Sequence, residues 1–200
     1  HGPWYWLCKY CMFKCSSNHT SLVGQLLIAD PHNPPDDASH SVIMITNHTV
    51  THTRGLILNQ RLPALTMADV AQGLDLHAPR HMSLMPIMWG GPYAIHRVSV
   101  LHSLDWQGMT TVNLQDSIGI TTDLSVISAM VAHEGPHEVR ACAGSMVWTN
   151  QDLEQELCNQ GTRRWELVPA DRHLVFGQQS HSQWQQCLDS ALRHRVSQWI

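Results

Sequence analysis

The chain has 200 residues, with 16 acidic residues, 12 lysines and arginines, 15 histidines and a formal charge of −4. That balance offers no global basic field to nucleic acid or to an anionic membrane. A chain of this length suits one domain and can bury a large core without disulfide staples.

No segment approaches the ~20 apolar residues that a bilayer span needs. Nor does the start read as a signal peptide, because Lys9 and Lys14 are followed by polar Ser16, Ser17, Asn18 and His19. The expectation is a cytoplasmic protein with no membrane partner.

The first twenty residues differ from the rest. They hold both lysines, three of the 6 cysteines and no acid. Cys8, Cys11, Cys15 and His19 give C-x2-C-x3-C-x3-H, a spacing that a metal knuckle can use. A short cluster without the turn glycines of a zinc ribbon reads first as an extension, so residues 1–20 are set apart from a single domain at 21–200. The scattered Cys142, Cys158 and Cys187 read as buried, reduced thiols.

From residue 21 the pattern is globular. "GQLLIAD" (24–30) is a short strand, and "HNPPDDA" is a loop, since adjacent prolines do not fit a regular element. "SVIMITNH" (41–48) and "RGLILNQ" (54–60) read as neighbouring antiparallel strands. Thr66 caps a short helix, "MADVAQGL", with Asp69 placed to close a capping box. "PIMWGGPY" (86–93) is a strand entering a Gly-Gly-Pro turn, and "SVLHSL" (99–104) and "SIGITT" (117–122) are further strands.

A helix follows Asp123, with Leu124, Ile127, Met130 and Val131 on one face. A strand at 137–144 then leads into "TNQDLEQEL", a Thr-capped helix with Leu153 and Leu157 four apart. "RRWELVPADRHLVF" is an extended piece, a turn and an apolar segment. Trp184, Cys187, Leu188, Ala191 and Leu192 mark one face of a final helix.

"HEGPH" (133–137) matches H-E-x-x-H, in which two histidines on one helical face hold zinc. Gly135 and Pro136 separate the two. Proline lacks the amide donor, clashes with the carbonyl of Ala132 and disfavours the α conformation at Gly135. The helix is therefore expected to stop near His133, which removes the basis for a zinc hydrolase. His48/His52 and His77/His81 share the four-residue spacing but sit on no convincing helix.

Ser145 lacks the G-x-S-x-G elbow, and no lysine beyond Lys14 is available for a phosphate loop. The arginines at 163–164 and 193–195 read as solvated faces, so direct nucleic-acid binding is not expected. No catalytic residues are assigned and no cofactor is implied.

The order of these pieces resembles the AlgH/YqgE family over about residues 21–195. "GQLLIADP" matches its opening. Asn59 keeps the place of an Asn-Arg-Pro turn, with Gln60 and Arg61 replacing the rest. Gly90, Gly91 and Pro92 keep its Gly-Gly-Pro, and Leu101 and His102 its later Leu-His pair.

Of the family's glycine-rich stretch, Gly144, Trp148, Leu153 and Glu156 are present. Ser145, Val147, Thr149, Gln151 and Asp152 stand where tyrosine, three glycines and glutamine would be. Trp165, Pro169, Ala170 and Asp171 complete the match, followed by Phe176 and Trp184.

The resemblance implies an α+β fold, a flattened and largely antiparallel β-barrel with helices packed around it. It brings no established biochemical activity and no catalytic set, although family members carry the label of transcriptional regulators. The expectation is a non-catalytic regulatory or interaction protein with an unknown protein partner. Its contact surface would draw on Asn59, Gly90, Gly91, Pro92, His102, Gly144, Trp148 and Glu156. The plainer account of the same residues is architectural: glycines for a tight turn and a tryptophan for core. A DNA-binding regulator and a metal-dependent enzyme using some of the histidines are the alternatives. The oligomeric state stays open.

Overall fold

The computed structural model describes residues 21–158, 164–177 and 180–197, apart from the side chains of 180 and 181. The cysteine cluster at Cys8, Cys11 and Cys15, with His19, lies outside the described residues, as does Arg163.

Ten strands and five α-helices lie along the described chain. They are β1 (Gln25–Ala29), β2 (Val42–His48), β3 (His52–Ile57), β4 (Arg61–Thr66), α1 (Met67–Gly73), β5 (Pro86–Trp89), β6 (Tyr93–Ser103), β7 (Val112–Gln115), β8 (Ile118–Thr121), α2 (Ser125–Val131), β9 (Val139–Thr149), α3 (Asn150–Cys158), β10 (Trp165–Pro169), α4 (Arg172–Phe176) and α5 (Ser180–Ser197). The fold is α+β: a curled, largely antiparallel sheet forms a half-barrel with helices packed around it.

The sheet runs β10-β1-β2-β3-β9-β6-β8-β7, and β5 joins β9 in parallel from the side with β4 as its neighbour. β1 and the first half of β2 are apolar on both faces, and both faces are buried there. Leu26, Ile28, Val42 and Met44 face a core under α4 and α5, where Leu174, Val175, Cys187 and Leu188 close it. Leu27, Ile43 and Ile45 face a second core roofed by Leu153 and Leu157 of α3 together with Trp148 and Trp165. A third core lies between β5, β6 and β9 and the helices α1 and α2.

β9 ties these parts together. On one edge, Ala141–Ala143 pair in parallel with Ile87–Trp89 of β5, and Met146–Thr149 then pair with β3. On the other edge, Val139–Ser145 pair with β6. The turn at residues 90–92 must therefore carry the chain from one side of β9 to the other.

Two strand spacings are about 9.5 Å, and the four residue steps from Trp89 to Tyr93 reach at most about 14 Å. With so little slack the turn lies directly on β9. A Cβ on Gly144 would stand 2.2 Å from the Gly91 carbonyl oxygen, and one on Gly90 would stand 2.4 Å from the Gly144 carbonyl oxygen. Gly144 also has φ +78°, in the left-handed region that disfavours side chains.

Several elements differ from the sequence reading. The strand expected at 137–144 runs on to Thr149, because the residues after Gly144 find a partner in β3. β4 and β7 are strands that periodicity did not reveal. β4 contains Pro63 and a left-handed Ala64 and is irregular, while β7 is short with two exposed residues. The apolar segment "RHLVF", assigned to no element by its sequence, is a helical turn, because the Asp171 carboxylate accepts the Leu174 N–H at 2.8 Å. Leu192, placed on the buried face of α5, is 47% exposed. It lies one residue beyond Ala191, the last buried contact of that helix with the sheet.

The Thr66 box forms as expected, with the Asp69 carboxylate accepting from the Thr66 N–H at 2.7 Å. Those Thr66 bonds hold Asp69 below the usual carboxylate range. A depressed folded-state value contributes stability that is present above the unfolded value and lost as pH falls through the folded one. Asp69→Asn is therefore expected to flatten the pH dependence of urea stability below about pH 4, with little effect on its shape at pH 7. Gly144→Ala is expected to lose about 3 kcal/mol or more, combining left-handed strain with overpacking against Gly91; urea unfolding at pH 7 measures it.

Candidate functional site

The residues singled out for a contact surface fall into two groups. Asn59 is structural glue: Oδ1 accepts the Val42 N–H at 2.9 Å, and Nδ2 donates to the His40 carbonyl at 2.7 Å. His102 is fully buried, with Nδ1 2.9 Å from the Ser103 carbonyl oxygen and its ring edge-on to Trp106. Gly90, Gly91 and Gly144 form the crossing, where the Gly90 N–H donates to Ala143 and the Ile57 N–H donates to Gly90. The glycines carry no side chain, His102 is buried and Asn59 is half-buried with its amide bonded at both ends, whereas Pro92 is exposed.

Trp148 and Glu156 meet at a groove. It has a volume of about 630 Å³ and is lined by His52, Val147, Trp148, Asp152, Glu156 and Arg164, among others. Trp148 is nearly buried and packs edge-on against Trp165, with centroids 6.4 Å apart. The Glu156 carboxylate accepts the Trp165 indole N–H at 2.5 Å, which fixes the groove's floor. Arg164 pairs with Asp36 and lies over the Trp165 ring. The groove is open, polar at its rim and aromatic at its base.

Beside it lies a patch that the sequence reading missed. Tyr93, Ile95 and Val147 are 55%, 53% and 39% exposed. Tyr93 pairs with Ser145 and Arg54 pairs with Val147 across β9, and the Arg54 guanidinium sits 5.3 Å from the Tyr93 ring centre. Ile95 has its backbone against Gly144. The signal was present in "GGPYAI", where a tyrosine and an isoleucine follow a turn directly.

The helix before "HEGPH" stops at Val131, and His133 takes a left-handed φ of 60°. His133 faces His81 at 5.9 Å between ring centres, whereas His137 bonds Asp105, with its backbone N–H 3.0 Å from Oδ2. Among the described residues, no three His, Cys, Asp or Glu side chains converge as a metal site would require.

A second cavity of about 500 Å³ opens between the β4–β5 ribbon, the start of β9 and the turn after α4. Arg61 and Arg140 border it, with Met67, Met85, Met88 and Phe176. Arg140 donates from Nη1 to the Leu58 carbonyl at 2.6 Å and to Gln183 Oε1 at 2.8 Å. Burial pushes the Arg140 guanidinium down from its ordinary value, and the like charge of Arg61 acts in the same direction. "HEVRACAG" held a hint of this, because strand alternation puts Arg140 and Cys142 on one face.

Cys142 is fully buried and burial pushes its thiol up to about 12; burial does the same for Cys187, also to about 12.

With the fold and these surfaces defined, similarity to known proteins gives the class. A family model described as AlgH-like matches residues 26–193, so this chain belongs to the AlgH-like family. A UPF0301 protein of Methylococcus capsulatus is 31% identical over 173 residues, covering 86% of this chain and 93% of that one. A UPF0301 protein of Thioalkalivibrio sulfidiphilus is 31% identical over 170 residues, covering 85% and 88%. The solution structure of the AlgH protein from Pseudomonas aeruginosa superimposes with a TM-score of 0.70 at 26% identity, over 88% of this chain and 92% of that one. A Corynebacterium diphtheriae crystal structure shares the fold with a TM-score of 0.67 at 19% identity, over 88% and 90%.

The thiol environments predict a reactivity order. In the folded protein at pH 8, iodoacetamide is expected to leave Cys142 and Cys187 unmodified, because almost no thiolate forms, and among the three described cysteines to reach the half-buried Cys158 first. Peptide mapping by mass spectrometry before and after denaturation checks it.

Proposed function

We propose that this chain is a non-catalytic regulatory protein that works by binding a protein partner through the Tyr93, Ile95 and Val147 patch and the adjoining Trp148 groove. The observation that carries the reading is the patch itself. Apolar and aromatic side chains stand exposed on backbone that the crossing holds rigid, so ordering them on binding costs little. A tyrosine over an arginine beside a groove has the make-up of an interface anchor. Where the family resemblance implies glycine at position 147, this chain carries valine, which adds apolar surface at the junction of patch and groove.

The DNA-binding alternative is less well supported. Arg164 and Arg195, from the two arginine clusters, are engaged with Asp36 and Glu166. Releasing them to reach phosphates would break those pairs, and the net charge of −4 opposes approach.

The test compares the wild type with Tyr93→Ser/Ile95→Ser, two exposed substitutions expected to leave the fold intact. Crosslinking in cell extract with mass-spectrometric identification, followed by titration of the purified partner, is expected to show binding weakened about tenfold or more in the variant. Equal affinity for both forms would overturn the assignment of the surface. Tight binding to duplex DNA that weakens steeply between 50 and 200 mM salt would replace it with the DNA reading.

A further inference from the structure

The cavity bordered by Arg61 and Arg140 shares no residue with the patch or the groove, and no described residue lining it is acidic. Its walls divide by chemistry. Two guanidinium groups stand against an apolar surface built from Met67, Met85, Met88 and Phe176. Its volume of about 500 Å³ lies within the range of small-molecule sites. Methionines suit such a wall because their unbranched thioethers adapt to chains of varied shape.

The two arginines are placed by the fold. Arg61 pairs with Met88 across the β4–β5 ribbon, and Met88 pairs with Cys142 of β9, two residues from Arg140. That register sets both guanidinium groups on one cavity. Arg140 is oriented by the carbonyl of Leu58 and by Gln183. Gln183 is buried and held in turn by its bond to the Leu174 carbonyl at 2.9 Å. Arg140 is thus a preorganised, half-buried donor, and Arg61 is an exposed one at the rim.

Two guanidinium groups bordering one cavity with an apolar wall offer charge-assisted hydrogen bonds to an anion. A guanidinium fork matches the two oxygens of a carboxylate in geometry as well as charge. We infer that the cavity between β4, β5, β9 and the end of α4 binds an amphipathic carboxylate, its anionic head between Arg61 and Arg140 and its aliphatic tail along the methionines. Such a ligand fits both halves of the lining. A free inorganic anion would use only the arginines, and a neutral lipid only the methionines.

The test is isothermal titration of the full chain with decanoate below its micelle-forming concentration, set beside decanol and inorganic phosphate. Saturable binding of one decanoate per chain is expected, weakening with added salt, with decanol and phosphate each bound at least 10-fold more weakly. Arg61→Glu is the informative variant, because Arg61 is exposed and its loss leaves the core untouched, whereas Arg140 also ties Leu58 to Gln183. Arg61→Glu is expected to weaken decanoate binding at least 10-fold. Arg193→Glu, the same change of charge on α5, is expected to leave it unchanged. The inference is overturned by absence of saturation, by decanol or phosphate binding as tightly as decanoate, or by equal affinity in wild type and Arg61→Glu.

Discussion

The structure depends on one backbone crossing. The chain leaves β5 on one edge of β9 and enters β6 on the other, and only Gly90, Gly91 and Pro92 lie between. The two backbones then lie so close that a Cβ on Gly90, Gly91 or Gly144 would fall within 2.4 Å of a main-chain atom. Three glycines in two distant segments are therefore a single steric requirement. Pulling the turn away from β9 would break the bonds from Gly90 to Ala143 and from Ile57 to Gly90, and leave buried backbone groups without partners.

That crossing explains why β9 can serve three neighbours. Past Gly144 the β5 pairing ends and β3 takes the same edge, so the half-barrel curls at the point where partners change. The three cores meet along this strand. Ala141 and Ala143 face α1 and α2, Cys142 faces α5, and Trp148 faces α3. The small residues Ala141, Cys142 and Ala143 occupy the stretch flanked by strands on both edges. Past Gly144 larger side chains return, with Trp148 turned into a core and Val147 onto the surface, where the exposed patch lies.

The core strands and the helix ends were readable because each carries a local physical signal. Short apolar runs marked β1 and the start of β2, the Thr66–Asp69 pair marked the start of α1, and Gly135-Pro136 marked the end of α2. The Gly-Gly-Pro turn and Gly144 were each visible as glycine positions. That they touch was not, because fifty-odd residues separate them and no local pattern records a crossing. The same limit applies to the candidate surfaces. Trp148 and Glu156 were picked out by resemblance and do share a groove. Tyr93 and Arg54, Arg61 and Arg140, and Arg140 and Gln183 are pairs made by strand register and helix docking, so their meaning appears only once the sheet is assembled.

The histidines show the converse case, in which local spacing suggests more than the fold uses. A zinc site needs three donors converging on one point, whereas the histidines here turn to separate neighbours. His48 Nδ1 meets the Thr53 hydroxyl at 2.8 Å, His52 Nδ1 lies 3.1 Å from the hydroxyls of Thr49 and Thr51, and His102 is bound to the Ser103 carbonyl. A neutral imidazole both donates and accepts, which suits threonine-rich turns and buried strand ends that have one unmatched group of either kind. The i, i+4 spacing of His48 and His52 thus follows from their places at the two ends of the turn joining β2 to β3. At His133 and His137 the same spacing brackets a helix stop, and the two rings leave for different partners, His81 and Asp105. Spacing becomes ligation only when the backbone between the residues keeps one conformation, and at His48/His52 and His133/His137 the turn residues and proline break it.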